Sequence, residues 1–149
     1  TTAKIPHPWE FDHDEIAWND RLPNLNAALG LSQLEVLEDR LFLKRKLLNK
    51  YIDSLDKIEG ISFITPKDNS LSNNWLITIA LDFKNKSINK IERDILLSES
   101  YKKNIFLRPL WKPLHKLKMY KDCPKSSLSL AEEYEYKIIN LPSSPQLIK

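Results

Sequence analysis

Glycine is nearly absent: Gly30 and Gly60 are the only two in 149 residues. A Walker-type or dinucleotide-type loop needs several glycines close together, so neither forms within this sequence. Any phosphate bound here is held by side chains and helix ends. Cys123 is the single cysteine, which excludes an internal disulfide and fits a reducing cytoplasm. It precedes a proline and reads as a spectator. No nucleophile elbow is present, so a Ser–His–acid hydrolase is not indicated. No apolar run approaches the ~20 residues of a membrane span, and no signal-peptide pattern opens the chain. An excess of one charge is also lacking. Lys and Arg number 23 against 20 Asp and Glu, a net +3 with both signs interspersed. That is too mild a balance to argue for nucleic acid. The Asn85-Lys-Ser87 sequon is a chance match in a cytoplasmic protein.

What is present suits one ordinary globular domain, with 42% hydrophobic and 29% charged residues. Residues 1–22 read as irregular and polar, a connecting segment. Residues 23–149 read as the domain itself. Leu25, Leu29, Leu34, Leu37, Leu41, Leu48, Tyr51, Ile52 and Leu55 recur near helical spacing and predict one long helix over 22–55, with room for a bend. The basic run Lys44-Arg-Lys46 reads as its solvated face, and Gly60 as the stop. Strands are predicted at 61–64, 75–83 and 105–107. A helix capped by Ser87 is expected over 88–103, with Ile91, Ile95 and Leu96 on one face. Residues 113–120 read as a turn or short helix. Ser129-Leu-Ala-Glu132 has capping-box spacing and opens a last helix to about Ile139. The pattern predicts a small α/β sandwich, with a long N-terminal helix and helices over one face of a mostly antiparallel sheet.

Three constellations bear on chemistry. The stretch Trp18-Asn-Asp-Arg-Leu-Pro-Asn-Leu-Asn-Ala-Ala-Leu-Gly30 sets Asn19 and Arg21 on a loop entering a helix, with Pro23 suited to its first position. An amide and a guanidinium beside a positive helix end suit a phosphate. The plainer alternative is an ordinary helix start with Arg21 in a surface ion pair. His7, Glu10, Asp12, His13, Asp14 and Glu15 match no standard zinc or calcium spacing and read as a polar connector. His115 follows Arg108-Pro-Leu-Trp-Lys-Pro-Leu, a loop stiffened by two prolines and Trp111 just past a strand. That suits a binding loop, or a histidine at a loop–core boundary.

The stretch from Trp18 to Gly30 resembles the DegT/DnrJ/EryC1/StrS family of pyridoxal-phosphate sugar aminotransferases, where it opens the C-terminal half. Four further segments fit that family in order. They are Ala3-Lys-Ile-Pro-His-Pro-Trp-Glu-Phe-Asp-His-Asp14, Gln33-Leu-Glu35 with Arg40, Leu107-Arg-Pro-Leu-Trp-Lys-Pro-Leu-His115 with Met119-Tyr120, and Ile139-Asn-Leu-Pro-Ser-Ser-Pro145. The first and fourth most resemble the subgroup that makes amino sugars for bacterial surface glycans and nonulosonic acids. The resemblance implies the small C-terminal domain of a fold-type I aminotransferase. Pyridoxal 5'-phosphate would be the cofactor, an amino acid such as glutamate the donor, and a nucleotide-linked keto sugar the acceptor. It implies that Asn19 and Arg21 contact the cofactor phosphate across a homodimer. It also implies that His115, Arg108 and Trp111 line the substrate site. Where the family usually has Tyr, this chain has Asp20, expected to point outward or pair with Arg21; Ala17-Trp18 stands where Gly-Tyr is common. The large domain, with its Schiff-base lysine, would lie upstream of Thr1. On this expectation the chain is a fragment, a truncated reading frame or a single domain expressed alone, inactive by itself. The competing expectation is a non-enzymatic dimerisation module derived from that domain.

Overall fold

The computed structural model describes residues 4–5, 7–13, 16, 22–67, 70–82 and 86–148. Within them run β1 (Lys4–Ile5), β2 (Asp12–His13), α1 (Asn24–Leu34), α2 (Leu37–Leu55), β3 (Ile61–Phe63) and β4 (Ile77–Leu81). Then follow α3 (Lys86–Lys102), β5 (Arg108–Pro109), α4 (Ser129–Lys137) and β6 (Ile138–Leu141). The main sheet has the order β3-β4-β6-β5, and every pairing is antiparallel.

The predicted long helix is two helices. Val36 leaves helical geometry at φ −114, ψ 14, and separates α1 from α2. A β-branched residue at a junction with no core contact gives little resistance to such a break. Pro23 sits one position ahead of the first helical residue, extended at ψ 161, rather than inside the helix.

The core lies where α2 meets the sheet. Leu47, Ile77, Ile79, Leu81, Ile139, Leu141 and Ile148 form one buried cluster, flanked by Leu43, Leu48, Tyr51 and Leu55. Along β4 buried and half-buried residues alternate, as one covered face demands. Ile77, Ile79, Leu97 and Ile139 are the largest fully buried side chains. Each contributes about 1.5–3 kcal/mol by leaving water. α2 is also tied by polar contacts to the turn after β6. Lys44 Nζ donates to the carbonyls of Ser143 (2.6 Å) and Trp75 (3.3 Å), and Tyr51 Oη to that of Pro142 (3.0 Å). Lys44 is thus no part of a solvated face, and burial holds its ammonium below the usual lysine range. Burial pushes the Tyr51 phenol up.

β6 is the main departure from expectation. The last helix stops at Lys137, two residues early, and Ile138 turns straight into a strand at φ −98, ψ 134. Two adjacent β-branched isoleucines prefer the pleated surface. All four β6 residues are buried, so both faces of this strand are covered rather than one. Its one polar residue, Asn140, is satisfied by Thr78 Oγ1 at 2.8 Å, its cross-strand partner. The strand expected at 105–107 lies instead at Arg108–Pro109. Pro109 lacks an N–H and is tolerated because β5 is an edge.

α3 begins at Lys86, so Ser87 lies within it rather than capping it. Its buried positions are Arg93, Leu97 and Ser100, while Ile91, Ile95 and Leu96 are exposed. It closes through Asn104, which takes a left-handed φ of 58. Gly60 at φ 82 makes the corresponding turn into β3.

Residues 4–13 are less irregular than expected. β1 pairs with β2, and His7 Nδ1 accepts from the Glu10 backbone N–H at 3.0 Å to shape the turn between them. Trp9 packs edge-on against Tyr101, with ring centroids 6.4 Å apart. The hairpin thus lies on the end of α3.

Candidate functional site

β5 and the loop after it hold the predicted substrate residues. Arg108 pairs with Asn140 in the sheet, and its guanidinium stands 5.7 Å from the Phe11 ring centre. Trp111 is 64% exposed, with its ring 6.4 Å from the same Phe11. Phe11 therefore brings Arg108 and Trp111 together. Next along the loop, Lys112 Nζ donates to Asp12 Oδ2 at 2.7 Å. That hydrogen bond holds the Asp12 carboxyl below the usual carboxylate range. The β1–β2 hairpin and the loop are thus joined by aromatic and ionic contacts.

Pro113 starts a 3-10 turn, Leu114–Lys116, that carries His115. His115 engages α4. Its Nε2 lies 2.9 Å from Glu132 Oε1 in the first turn of α4. The imidazole is 10% exposed and lines a recess of about 570 Å³ with Pro113, Leu114, Tyr120, Leu128 and Ala131. Ser129 makes no capping hydrogen bond, and Leu128 occupies the cap position. Glu132, expected as the capping-box partner, is used on His115 instead. The hydrogen bond from His115 holds its carboxyl below the usual range.

A second recess, about 170 Å³, opens beside the hairpin and is lined by Phe11, Asp12, Arg93, Lys112, Glu135 and Tyr136 among others. The Tyr136 ring is approached by Lys90 at 5.4 Å, Arg93 at 5.3 Å and Lys116 at 5.2 Å. Arg93 is buried and satisfied. It donates to the Glu135 carbonyl at 2.7 Å and to Asp94 at 2.6 and 2.9 Å. Burial disfavours the Lys116 ammonium, but its bond to the Glu135 carboxylate outweighs this and raises it above the usual lysine range. Sequence reasoning missed this group. An arginine and two lysines on amphipathic stretches carry no signal that separates a buried cation from a solvated one.

Asn19, Asp20 and Arg21 lie outside the described residues, as do Asp14 and Glu15. Among the described residues, no three His, Cys, Asp or Glu side chains converge as metal ligands. None of the described helices is long and apolar enough to cross a membrane.

A four-stranded antiparallel sheet backed by α2, with a proline-stiffened loop leaving its edge strand, is the small domain of a fold-type I aminotransferase. Residues 5–149 match the DegT/DnrJ/EryC1/StrS aminotransferase family, and the chain belongs to it. EpsN of Bacillus subtilis (strain 168), described as a pyridoxal phosphate-dependent aminotransferase, is 36% identical over 105 residues, covering 70% of this chain and 26% of EpsN. GDP-perosamine synthase of Vibrio cholerae is 33% identical over 138 residues, covering 91% of this chain and 36% of the synthase. The solved structure of Helicobacter pylori PseC, an aminotransferase involved in the biosynthesis of pseudoaminic acid, superposes with a TM-score of 0.73 at 22% identity. That superposition covers 97% of this chain and 38% of PseC. The chain thus spans between a quarter and two fifths of the length of these relatives.

Proposed function

We propose that this chain is the C-terminal part of a cytoplasmic, homodimeric aminotransferase. The enzyme moves an amino group from an amino acid, glutamate, onto a keto sugar carried on a nucleotide. The observation that carries this reading is the loop from Arg108 to His115. It is anchored on an edge strand and pinned to the hairpin through Asp12. It presents a cation, an exposed indole and an oriented imidazole within a family of sugar aminotransferases. In this reading Arg108 and Trp111 form one part of the substrate wall and His115 another.

Pyridoxal phosphate, when bound, supplies the electron sink for the carbanion chemistry. The donor set fits its phosphate, since an amide and a guanidinium are both hydrogen-bond donors to an anion. Asn19 and Arg21 would hold that phosphate from across the dimer. The test is made in the full-length enzyme. Asn19→Ala is expected to weaken cofactor retention roughly ten- to hundredfold, the loss of one hydrogen bond to a charged acceptor. His115→Ala is expected to raise KM for the nucleotide sugar and spare the cofactor. The reverse pattern, with Asn19→Ala neutral and His115→Ala stripping the cofactor, would overturn the assignment. The 149-residue chain alone is expected to give no borohydride-trapped cofactor adduct on any single lysine. A stoichiometric adduct would sink the fragment reading.

The second reading, a non-enzymatic dimerisation module, is favoured by α1, where every residue is exposed. A colourless natural protein of the chain's own 17.5 kDa mass would select it over the enzyme.

A further inference from the structure

His115 and Glu132 come from different elements, 17 residues apart, and meet through Nε2 and Oε1 at 2.9 Å. Glu132 sits in the first turn of α4, where the helix dipole favours a negative charge. Lys116 and Lys125 lie close enough to add to that preference. The carboxylate is therefore ionised at neutral pH, and an ionised carboxylate only accepts hydrogen bonds. Nε2 must then carry the proton. In a neutral imidazole the other nitrogen, Nδ1, is left as an acceptor. Among the described residues Nδ1 has no hydrogen-bond partner. The ring is 10% exposed, so its orientation is set by packing as well as by Glu132. It lines a recess walled by the apolar Pro113, Leu114 and Leu128 and by the polar Tyr120, Lys125 and Ser126, a setting in which a few placed polar groups fix how a ligand lies.

We propose that Glu132 is a positioning residue. It fixes His115 as the Nε2–H tautomer, so that Nδ1 accepts a hydrogen bond from a hydroxyl or N–H group of the ligand rather than contacting a phosphate. This rests on the reading above that His115 belongs to the substrate wall. The carboxylate acts through the imidazole, by the logic that lets a carboxylate orient a metal-bound or catalytic histidine. It also selects ligand chemistry. A lone pair at Nδ1 attracts a sugar hydroxyl or a base N–H and repels a phosphoryl oxygen.

Selective ¹⁵N-histidine labelling of the chain tests this without any ligand. Its three histidines are separable by comparison with His115→Asn. Nitrogen shifts at neutral pH are expected to report the Nε2–H tautomer at His115. Glu132→Gln is isosteric and half-exposed, and its amide can donate to Nε2. The Nδ1–H form should then rise, whereas Glu132→Asp should retain the original tautomer. Unchanged His115 shifts in Glu132→Gln, or an Nδ1–H ring in the wild type, would overturn the proposal. Kinetics on the full-length enzyme separate it from the reading on which it rests. Glu132→Gln is expected to raise KM for the nucleotide sugar that the wild type turns over by about two- to tenfold, with kcat nearly unchanged. A tautomer change with KM unmoved in both Glu132→Gln and His115→Ala would remove His115 from the substrate wall. It would leave Glu132 as the group that sets the ring.

Discussion

α1 and α2 are separated by only two residues and carry similar leucine spacing, yet they behave as opposites. α2 buries Leu47 against the sheet and reaches the turn after β6 through Lys44 and Tyr51. α1 buries nothing: Leu25 is 81% exposed, and the space around Gly30 is open. Helical periodicity in a sequence records that a face is meant to be covered, not what covers it. For α2 the cover is the domain's own sheet. For α1 none of the described residues supplies it, and the helix leaves Leu25, Leu29, Leu31 and Leu34 exposed.

Substitutions can break or sharpen that contrast. The largest effect is expected in the core. Ile139→Ala, at a fully buried position, should cost about 2–5 kcal/mol in urea unfolding. Leu25→Ala in the same assay should stay within about 0.5 kcal/mol. Equal losses would mean that α1 is packed in solution after all. Next comes the polar tie. Lys44→Met removes the donor to two carbonyls and should cost about 1–3 kcal/mol, read by thermal unfolding. No change would show that hydrophobic contacts alone seat α2. Leu25→Asp with Leu29→Asp should leave folding nearly unaltered but abolish self-association in sedimentation velocity. A wild-type chain that sediments only as a monomer at high concentration would remove the contrast's functional meaning.

The smallest effect concerns the hairpin. Lys112 depresses the folded-state pKa of Asp12 below its ordinary 3.8. Its stabilisation is thus complete above that value and is lost as pH falls through the depressed one. Both partners are about a third or more exposed, so the pair is worth under about 1 kcal/mol. Acid titration followed by tryptophan fluorescence should show a small step below pH 3.8 that disappears in Asp12→Asn. A step of unchanged size in the variant would assign it to another carboxyl.

The fold class was legible because β4 and the helices are long enough to show their periods, and because the motif order spans most of the chain. β6 was not, since Ile138 and Ile139 continue the helical pattern of Tyr134 and Glu135 with no glycine or proline between. Only their branching marks the change. The buried face of α3 was not legible because Arg93, a cation, occupies it, and a hydrophobic rule cannot select a buried arginine. At the site, the proline-stiffened loop and His115 could be read from the chain. The pairing with Glu132 could not, because the capping-box spacing offered that carboxylate a local partner. A contact between residues 17 apart leaves no trace in local pattern.

The position of β6 governs how the molecule is made. It is the last strand in chain order, yet it fills the middle of the sheet, and Thr78 waits 62 residues for Asn140. During synthesis β3 and β4 can pair as they emerge, but β5 has no neighbour until β6 arrives. Sheet completion is therefore deferred until β6 is made, and until then the nascent domain exposes the unpaired side of β4. A ribosome that stops before Ile138 releases a chain with an open sheet edge, the form that chaperones and proteases select.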